Sequence, residues 1–343
     1  MVEEKNVEED NKKTKIPKDS PLRQQKLKAW QPIPTLYLGA ILLKESNDIK
    51  EIVIDYTDCL YAPYCEKTFY LEDNFDGDVY FFYQLGNYYQ NIRRYQKSLN
   101  NYQLIGSNIY DVSGCDSYSR ENENDPKSKV IYPCGAIANS MFSDKFELIY
   151  KHREQPNPMW PPIDIPVPWT YEGLLKDRDR VKLFKNPPTT SSLCEALINT
   201  VRPKKWTIDV CMLDTTNEQN NGVQNVDFII WMTTAGLNNF RKPFRKLDRT
   251  SSITPQQLRG GLPRGEYLLK IINNYDVISF NGTKKFVVTT TSWIGSKNTF
   301  LGIAFLTVAG LCIFSGLFLL FMHYKFGHSL GELGNLDELM LKQ

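Results

Sequence analysis

Between Phe300 and Met322 the chain reads FLGIAFLTVAGLCIFSGLFLLFM, with no charged side chain. As a helix rising about 1.5 Å per residue it reaches roughly 34 Å, enough to cross a bilayer core of about 30 Å. Lipid offers no partners for backbone N–H and C=O groups, so such a run survives there only as a helix. The competing reading is a buried helix of a large soluble domain, but core helices seldom run past about 18 residues without a polar face. Everything before residue 297 is therefore read against a membrane at the far end.

Mean hydropathy over the whole chain is −0.40, so the apolar character is concentrated there rather than spread over many spans. A multi-span channel is excluded. The 343 residues allow one large domain or two small ones. With 41 basic and 39 acidic residues the net charge is +2, which argues against a nucleic-acid partner. Abundant aromatic residues, 19 of them Tyr, suit a β-rich, well-packed domain.

Cys312 lies inside the apolar run, which leaves Cys59, Cys65, Cys115, Cys134, Cys194 and Cys211. An even number outside the membrane fits an oxidised, disulfide-bearing domain. There is no CxxC pair, and His152 is the only histidine away from the membrane end, so a zinc site is not expected.

In chain order, residues 1–28 form a polar tail, acidic at its start and basic from Lys12 to Lys28, expected to be disordered and cytosolic. Residues 29–46 hold a second apolar run, Ile33–Leu43, about 16 Å long as a helix and too short to cross. It has the length of a signal-peptide core, without a clean cleavage site behind it. Residues 47–296 read as one β-rich domain. Strands are expected at Ile52–Tyr56, Val79–Tyr83, Asp227–Met232, Tyr267–Ile272 and Lys285–Thr291, the last two joined by a hairpin-type turn at Asn281-Gly282. Short helices are expected at Tyr88–Lys97 and Ala136–Phe142. Residues 155–168 are too proline-rich for regular structure. An antiparallel β-sandwich with short helices, followed by a transmembrane helix at 297–323 and a cytosolic tail at 324–343, fits this pattern.

Catalytic groups are hard to find. The G-x-S-x-G elbow, the Walker A loop, H-E-x-x-H and the Asp-Lys-Thr-Gly phosphorylation motif are absent from the sequence. A nucleophile–histidine mechanism would rest on His152 alone. Asp214–Gly222 looks superficially like a calcium loop, but Asn225 stands where a bidentate Glu is needed, so a polar turn is expected. Arg93 and Arg94 could clamp a phosphate or form a solvated helix face. Two features carry more weight. Asn281-Gly282-Thr283 is the one sequon in the chain, placed in an expected turn. Cys115 and Cys134 bracket a polar loop whose closure would stabilise by about 3 kcal/mol, and Cys59 and Cys65 close a tight loop after the first strand. No cofactor is expected.

Pro133–Asp144, PCGAIANSMFSD, resembles the hallmark block of the cell division control protein 50 (ligand-effect modulator) family, the non-catalytic beta subunits of type IV P-type ATPase lipid flippases. Further blocks are similar in the same order: Gln24–Pro32, Ile49–Thr57, Asn87–Ser98, Phe184–Pro188, Asp227–Met232, Leu262–Tyr275 and Thr291–Ala304. The resemblance covers roughly residues 22–324. It implies an exoplasmic β-sandwich between two spans, with both termini cytosolic. It also implies an accessory chain without catalysis, which helps the pump fold, leave the endoplasmic reticulum and flip aminophospholipids, in the Golgi, secretory vesicles and plasma membrane. The implied partners are the ATPase catalytic subunit, as a heterodimer, and membrane lipids. Implied disulfides are Cys59–Cys65 and Cys115–Cys134, with Asn281 as the glycan site, while Cys194 and Cys211 are left to pair with each other. The departure is the first span, which the Ile33–Leu43 run replaces in truncated form. Unless that run acts as a signal, nothing threads residues 47–296 into the lumen, and the chain would be impaired or mis-oriented. A stand-alone surface-binding glycoprotein and a lumenal enzyme are the rival readings.

Overall fold

Strand Val79–Gly86 shows how the sequence builds the domain. Val79, Phe81, Tyr83 and Leu85 are buried while Tyr80, Phe82 and Gln84 are half-buried, the period of two that a central strand requires. A computed structural model of the chain describes residues 32–153, 162–175, 182–189 and 191–327. The expected tail at 1–28, the Gln24–Pro32 block up to residue 31, residues 155–161 and the end of the C-terminal tail lie outside them.

The chain divides into two units, Glu45–Asn298 and the flanking segments Met1–Lys44 with Thr299–Gln343. In the first, thirteen strands are described: β1 (Glu51–Asp55), β2 (Tyr64–Leu71), β3 (Phe75–Asp76), β4 (Val79–Gly86), β5 (Val130–Ile131), β6 (Lys145–His152), β7 (Ile163–Pro166), β8 (Trp169–Thr170), β9 (Thr200–Val201), β10 (Phe240–Leu247), β11 (Gly261–Leu262), β12 (Gly265–Ile272) and β13 (Thr283–Thr290). They make a five-stranded antiparallel sheet, β1-β13-β4-β10-β8, and a four-stranded one, β2-β12-β6-β7. The pairs β3 with β11 and β5 with β9 complete the set. The two main sheets pack face to face through aromatic rings. Phe146 of β6 lies 4.8 Å from Phe286 of β13 and 5.2 Å from Phe244 of β10. This is an antiparallel β-sandwich.

Several local expectations are corrected. Asp227–Met232 is not a strand: Val226–Met232 is a helix, capped by the Asn225 side chain, which accepts from the Asp227 and Phe228 amides. Every residue of that helix but Asp227 is buried, and a short run that is apolar all round carries no periodicity to separate helix from strand. Asn281-Gly282 does not close a hairpin, because β12 and β13 belong to different sheets. Asn281 instead ends the 3-10 turn Ile278–Phe280 in the left-handed conformation, φ 52°, on a connection that passes from one sheet to the other. The helix expected at Tyr88–Lys97 shrinks to Arg93–Lys97, and the one at Ala136–Phe142 to Ala136–Asn139. Ile163–Pro166, inside the proline-rich stretch, is an edge strand, where a proline loses no ladder bond.

In the second unit, helix Thr299–Phe326 is 28 residues long and apolar enough to cross a membrane. It is the one helix among the described residues to pass that test. The short apolar run extends into a 17-residue helix, Pro32–Asp48, because Lys44, Glu45 and Asp48 continue it beyond Leu43. The two helices approach closely at small residues. A Cβ added to Gly39 would stand 3.0 Å from the Leu306 backbone, and one on Gly302 would stand 2.8 Å from the Leu43 nitrogen.

Candidate functional site

Pro133–Asp144, the strongest motif of the sequence, folds into an internal hub. Cys134 donates its amide to the buried Gln103 side chain at 2.8 Å. Gly135 has φ 104°, and a Cβ there would stand 2.1 Å from the Ser98 carbonyl oxygen, so only glycine fits. The Ala136 amide donates to Ser98 Oγ at 2.9 Å. The carbonyls of Ile137 and Ala138 each accept an indole N–H at 2.8 Å, from Trp231 and Trp206. Asn139 accepts from the Lys205 amide, and Ser140 shares a hydrogen bond with the Tyr95 hydroxyl at 2.8 Å. The block ties three distant segments together, 95–103, 205–206 and the helix that carries Trp231.

Its last residue, Asp144, closes a fully buried ion pair with Lys284 of β13, Nζ to Oδ2 2.8 Å. The same carboxylate accepts from the Tyr56 hydroxyl at 3.0 Å and from the amides of Asn274 and Tyr275 at 2.7 and 2.6 Å. Lys284 also donates to the Asn273 side chain and to the Tyr275 carbonyl, so all three of its N–H groups are used. Burial lowers the Lys284 pKa, with Asp144 opposing the shift, and burial together with Asp144 pushes the Tyr56 phenol well up. The pair locks the β12–β13 connection onto the hub.

A second buried lysine has no carboxylate. Lys242 of β10 donates to the carbonyls of Ile230 at 2.9 Å, Trp231 at 3.0 Å and Thr233, capping the C-terminal end of helix Val226–Met232. Its ammonium also lies 5.2 Å from the centre of the Trp231 ring. Burial pulls its pKa down to about 7. Beside it, Arg245 grips Asp227 with two bonds of 2.6 and 2.9 Å while its guanidinium lies over Phe244. Arg245, Asp227 and Phe244 border a cavity of about 420 Å³, which Trp169 and Phe142 also line. A larger cavity, about 740 Å³, opens beside Cys194 and Cys211 with Ile198 and Met212 at its wall.

The six cysteines of the sandwich stand in three disulfides, Cys59–Cys65, Cys115–Cys134 and Cys194–Cys211. Cys115 and Cys134 are buried with Ile131 in a small core of their own, packed by Val112 and Val201. Asn281 is exposed on its turn. Arg93 and Arg94 are exposed as well, with only a 4.0 Å contact from Arg94 to Asp116, and line neither cavity. In Asp214–Gly222 the Asp214 carboxylate is spent on its own turn, accepting from Thr216 and Asn217 amides and from Asn220. Burial would raise its pKa, but those donors outweigh it and hold the carboxyl below its usual range. Among the described residues no group of three or more His, Cys, Asp or Glu side chains could hold a metal ion.

Sequence reasoning missed the Lys284–Asp144–Tyr56 cluster, Lys242 and the Arg245–Asp227 clasp. The available signal was a lysine at an inward position of a strand, at Lys284 before Phe286 and Val288, and it is faint because lysines also end strands.

The family model for the LEM3 (ligand-effect modulator 3) family / CDC50 family matches residues 42–329. Cell cycle control protein 50A of Mus musculus is 39% identical over 349 aligned positions, covering 92% of each chain. Cell cycle control protein 50B of Homo sapiens is 35% identical, covering 90% of this chain and 94% of that protein. ALA-interacting subunit 3 of Arabidopsis thaliana is 32% identical, covering 94% and 90%. With a family model matched over most of its length and relatives aligned nearly end to end, the chain belongs to the LEM3/CDC50 family.

Proposed function

We propose that this chain is the accessory subunit of a phospholipid-translocating P-type ATPase, a membrane-anchored partner that performs no catalysis itself. Family membership along residues 42–329 carries the reading, and one relative is named an interacting subunit. The fold supports it. Both chain connections leave the sandwich at one end, where Glu51 faces Thr289 across the ladder. There the Asn298 amide donates to Ser46 Oγ at 3.0 Å, and Ser292 Oγ donates to Glu45 at 2.7 Å. Such a doubly tied stalk suits a rigid domain held by two membrane segments. We take Pro32–Asp48 as the second of these, its close approach to Thr299–Phe326 at Gly39 and Gly302 being the support. The sandwich then lies in the lumen and outside the cell, its three disulfides formed on the secretory route. Asn281 carries a glycan on the end of β13 away from the stalk. The subunit stabilises the folding pump, accompanies it from the endoplasmic reticulum to the Golgi and plasma membrane, and supports its flipping of aminophospholipids.

A glycosidase mobility shift on the full-length chain in cells, with an Asn281→Gln control, combined with affinity purification in mild detergent, tests this. The expected result is a shift lost in the variant and a P-type ATPase in the eluate. A glycosylated chain without an ATPase would replace the reading with a stand-alone surface glycoprotein. An unshifted chain whose Cys115 and Cys134 alkylate without reductant would overturn the lumenal placement.

A further inference from the structure

Strand register sorts the loops of the sandwich by end. Thr290 faces Val79, Lys246 faces Tyr80 and Gly265 faces Leu71, so segments 45–50, 72–78, 248–264 and 291–298 gather at the end from which both stalk connections leave. Cross-links between them bear this out: Lys50 Nζ donates to the Asn74 carbonyl at 2.8 Å, Gly77 to the Gly260 carbonyl at 2.9 Å, and Arg249 to Asp78 at 3.2 Å. Two large apolar side chains project from this end. Ile253 is 82% exposed and Trp293 is 70% exposed.

Both stand on built turns. Asp248 accepts from the Thr250 and Ser251 amides, and Thr254, itself buried, donates back to the Asp248 carbonyl at 2.9 Å, so Ile253 is held at the tip. Ser292 and Gly295 exchange backbone bonds of 3.1 and 2.9 Å around Trp293. Some of the charges nearby pair with each other, with Asp78 bridging Lys246 and Arg249, and Lys50 within 4.0 Å of Asp73.

We propose that these two tips seat the stalk end of the sandwich in the headgroup layer of the bilayer, with Trp293 and Ile253 inserted among zwitterionic lipids. The inference rests on the membrane-anchored reading and names a surface within it. Helix Thr299–Phe326 at about 1.5 Å per residue is roughly 42 Å long, the thickness of a whole bilayer of about 40–45 Å with its headgroups. A helix of that length reaches from one headgroup boundary to the other, and Trp293 lies only six residues before its start, within about 20 Å of chain. Tryptophan favours that interface, where its ring meets acyl chains and its N–H meets water. A protein partner is the weaker fit, because two separate tips offer no contiguous apolar patch for a docked core.

Nitroxide labels at Ile253→Cys, Trp293→Cys, Leu237→Cys and Leu317→Cys test this, in the full-length chain with Cys312→Ala, in phosphatidylcholine nanodiscs. Leu237, 71% exposed, is the aqueous control, because Phe240 faces Leu85 at the opposite end of the sheet. The expected result is an oxygen-to-nickel-chelate accessibility ratio several-fold higher at 253 and 293 than at 237, and highest at 317. Ratios at 253 and 293 equal to that at 237, with 317 in hydrocarbon, overturn the seating while leaving the anchor intact. A water-like 317 fells the anchoring and this inference together. Tips that become shielded only when an ATPase is co-reconstituted overturn it in favour of a protein contact. A second measurement avoids the cysteines: brominated phosphatidylcholine should quench the unsubstituted chain more than Trp293→Phe, and equal quenching overturns the seating.

Discussion

Two lysines are buried among the described residues of the sandwich, and they are satisfied in different ways. Lys284 meets a carboxylate, Asp144, that is equally buried, whereas Lys242 meets three carbonyls at the end of a helix. In the first case two formal charges cancel, and each depends on the other. In the second, one charge is set against partial charges of the backbone, and nothing is stranded when it goes. The difference teaches which buried charge is a tie and which is a cap. Lys284 and Asp144 connect segments 140 residues apart and so hold the β12–β13 connection to the hub. Lys242 stabilises one short helix from a strand 11 residues away.

Removing one member of the tie should do the most damage. Asp144→Ala leaves an unpaired buried ammonium and should cost about 3–5 kcal/mol, read as loss of the folded, disulfide-bonded chain in thermal unfolding of the purified protein. The pair Asp144→Leu with Lys284→Met should recover most of that loss, since no uncompensated charge remains. If the double variant is as unstable as the single one, the tie acts through its hydrogen bonds to Tyr56 and the Asn274 and Tyr275 amides rather than through charge. Lys242→Met should cost less, about 2 kcal/mol, because the three carbonyls lose donors but no charge is stranded. A loss as large as that of Asp144→Ala would abolish the distinction.

The smallest effect is in pH. The folded Lys242 pKa is about 7, below the ordinary lysine value of about 10.4. Between those values the unfolded chain binds more protons than the folded one, so stability should rise with pH through that window. Lys284 shifts in the same direction, while the raised tyrosines act with opposite sign only toward their ordinary range near pH 10. Melting curves from pH 7 to 9 should therefore show an upward slope that is shallower in Lys242→Met. Equal slopes would show that the three carbonyls keep the Lys242 ammonium charged throughout.

Much of the fold was readable from local chemistry. The uncharged run at Phe300–Met322 marked a helix long and apolar enough to cross a membrane, and the apolar run Val79–Tyr83 marked a strand. Where the sequence misled, the local signal was ambiguous. Val226–Met232 is buried at every residue but Asp227, so helix and strand patterns are not separated, and the Asn225 cap that decides it is one residue outside the run. Asn281-Gly282 suited a hairpin but serves a crossover, because a left-handed residue fits either and only sheet membership tells them apart. The hallmark block was recognisable as a pattern, yet its reason was not. Gly135 is dictated by the Ser98 carbonyl 37 positions earlier, and Ile137 and Ala138 by indoles of Trp231 and Trp206.

By itself, then, the sequence determined a membrane-length helix and a β-rich domain, since each follows from neighbours within a few residues. Tertiary structure alone decided that Lys284 finds Asp144, that both stalk connections leave together, and that Ile253 shares an end with Trp293. Those outcomes depend on strand register, which aligns residues far apart in the chain and which no local pattern encodes.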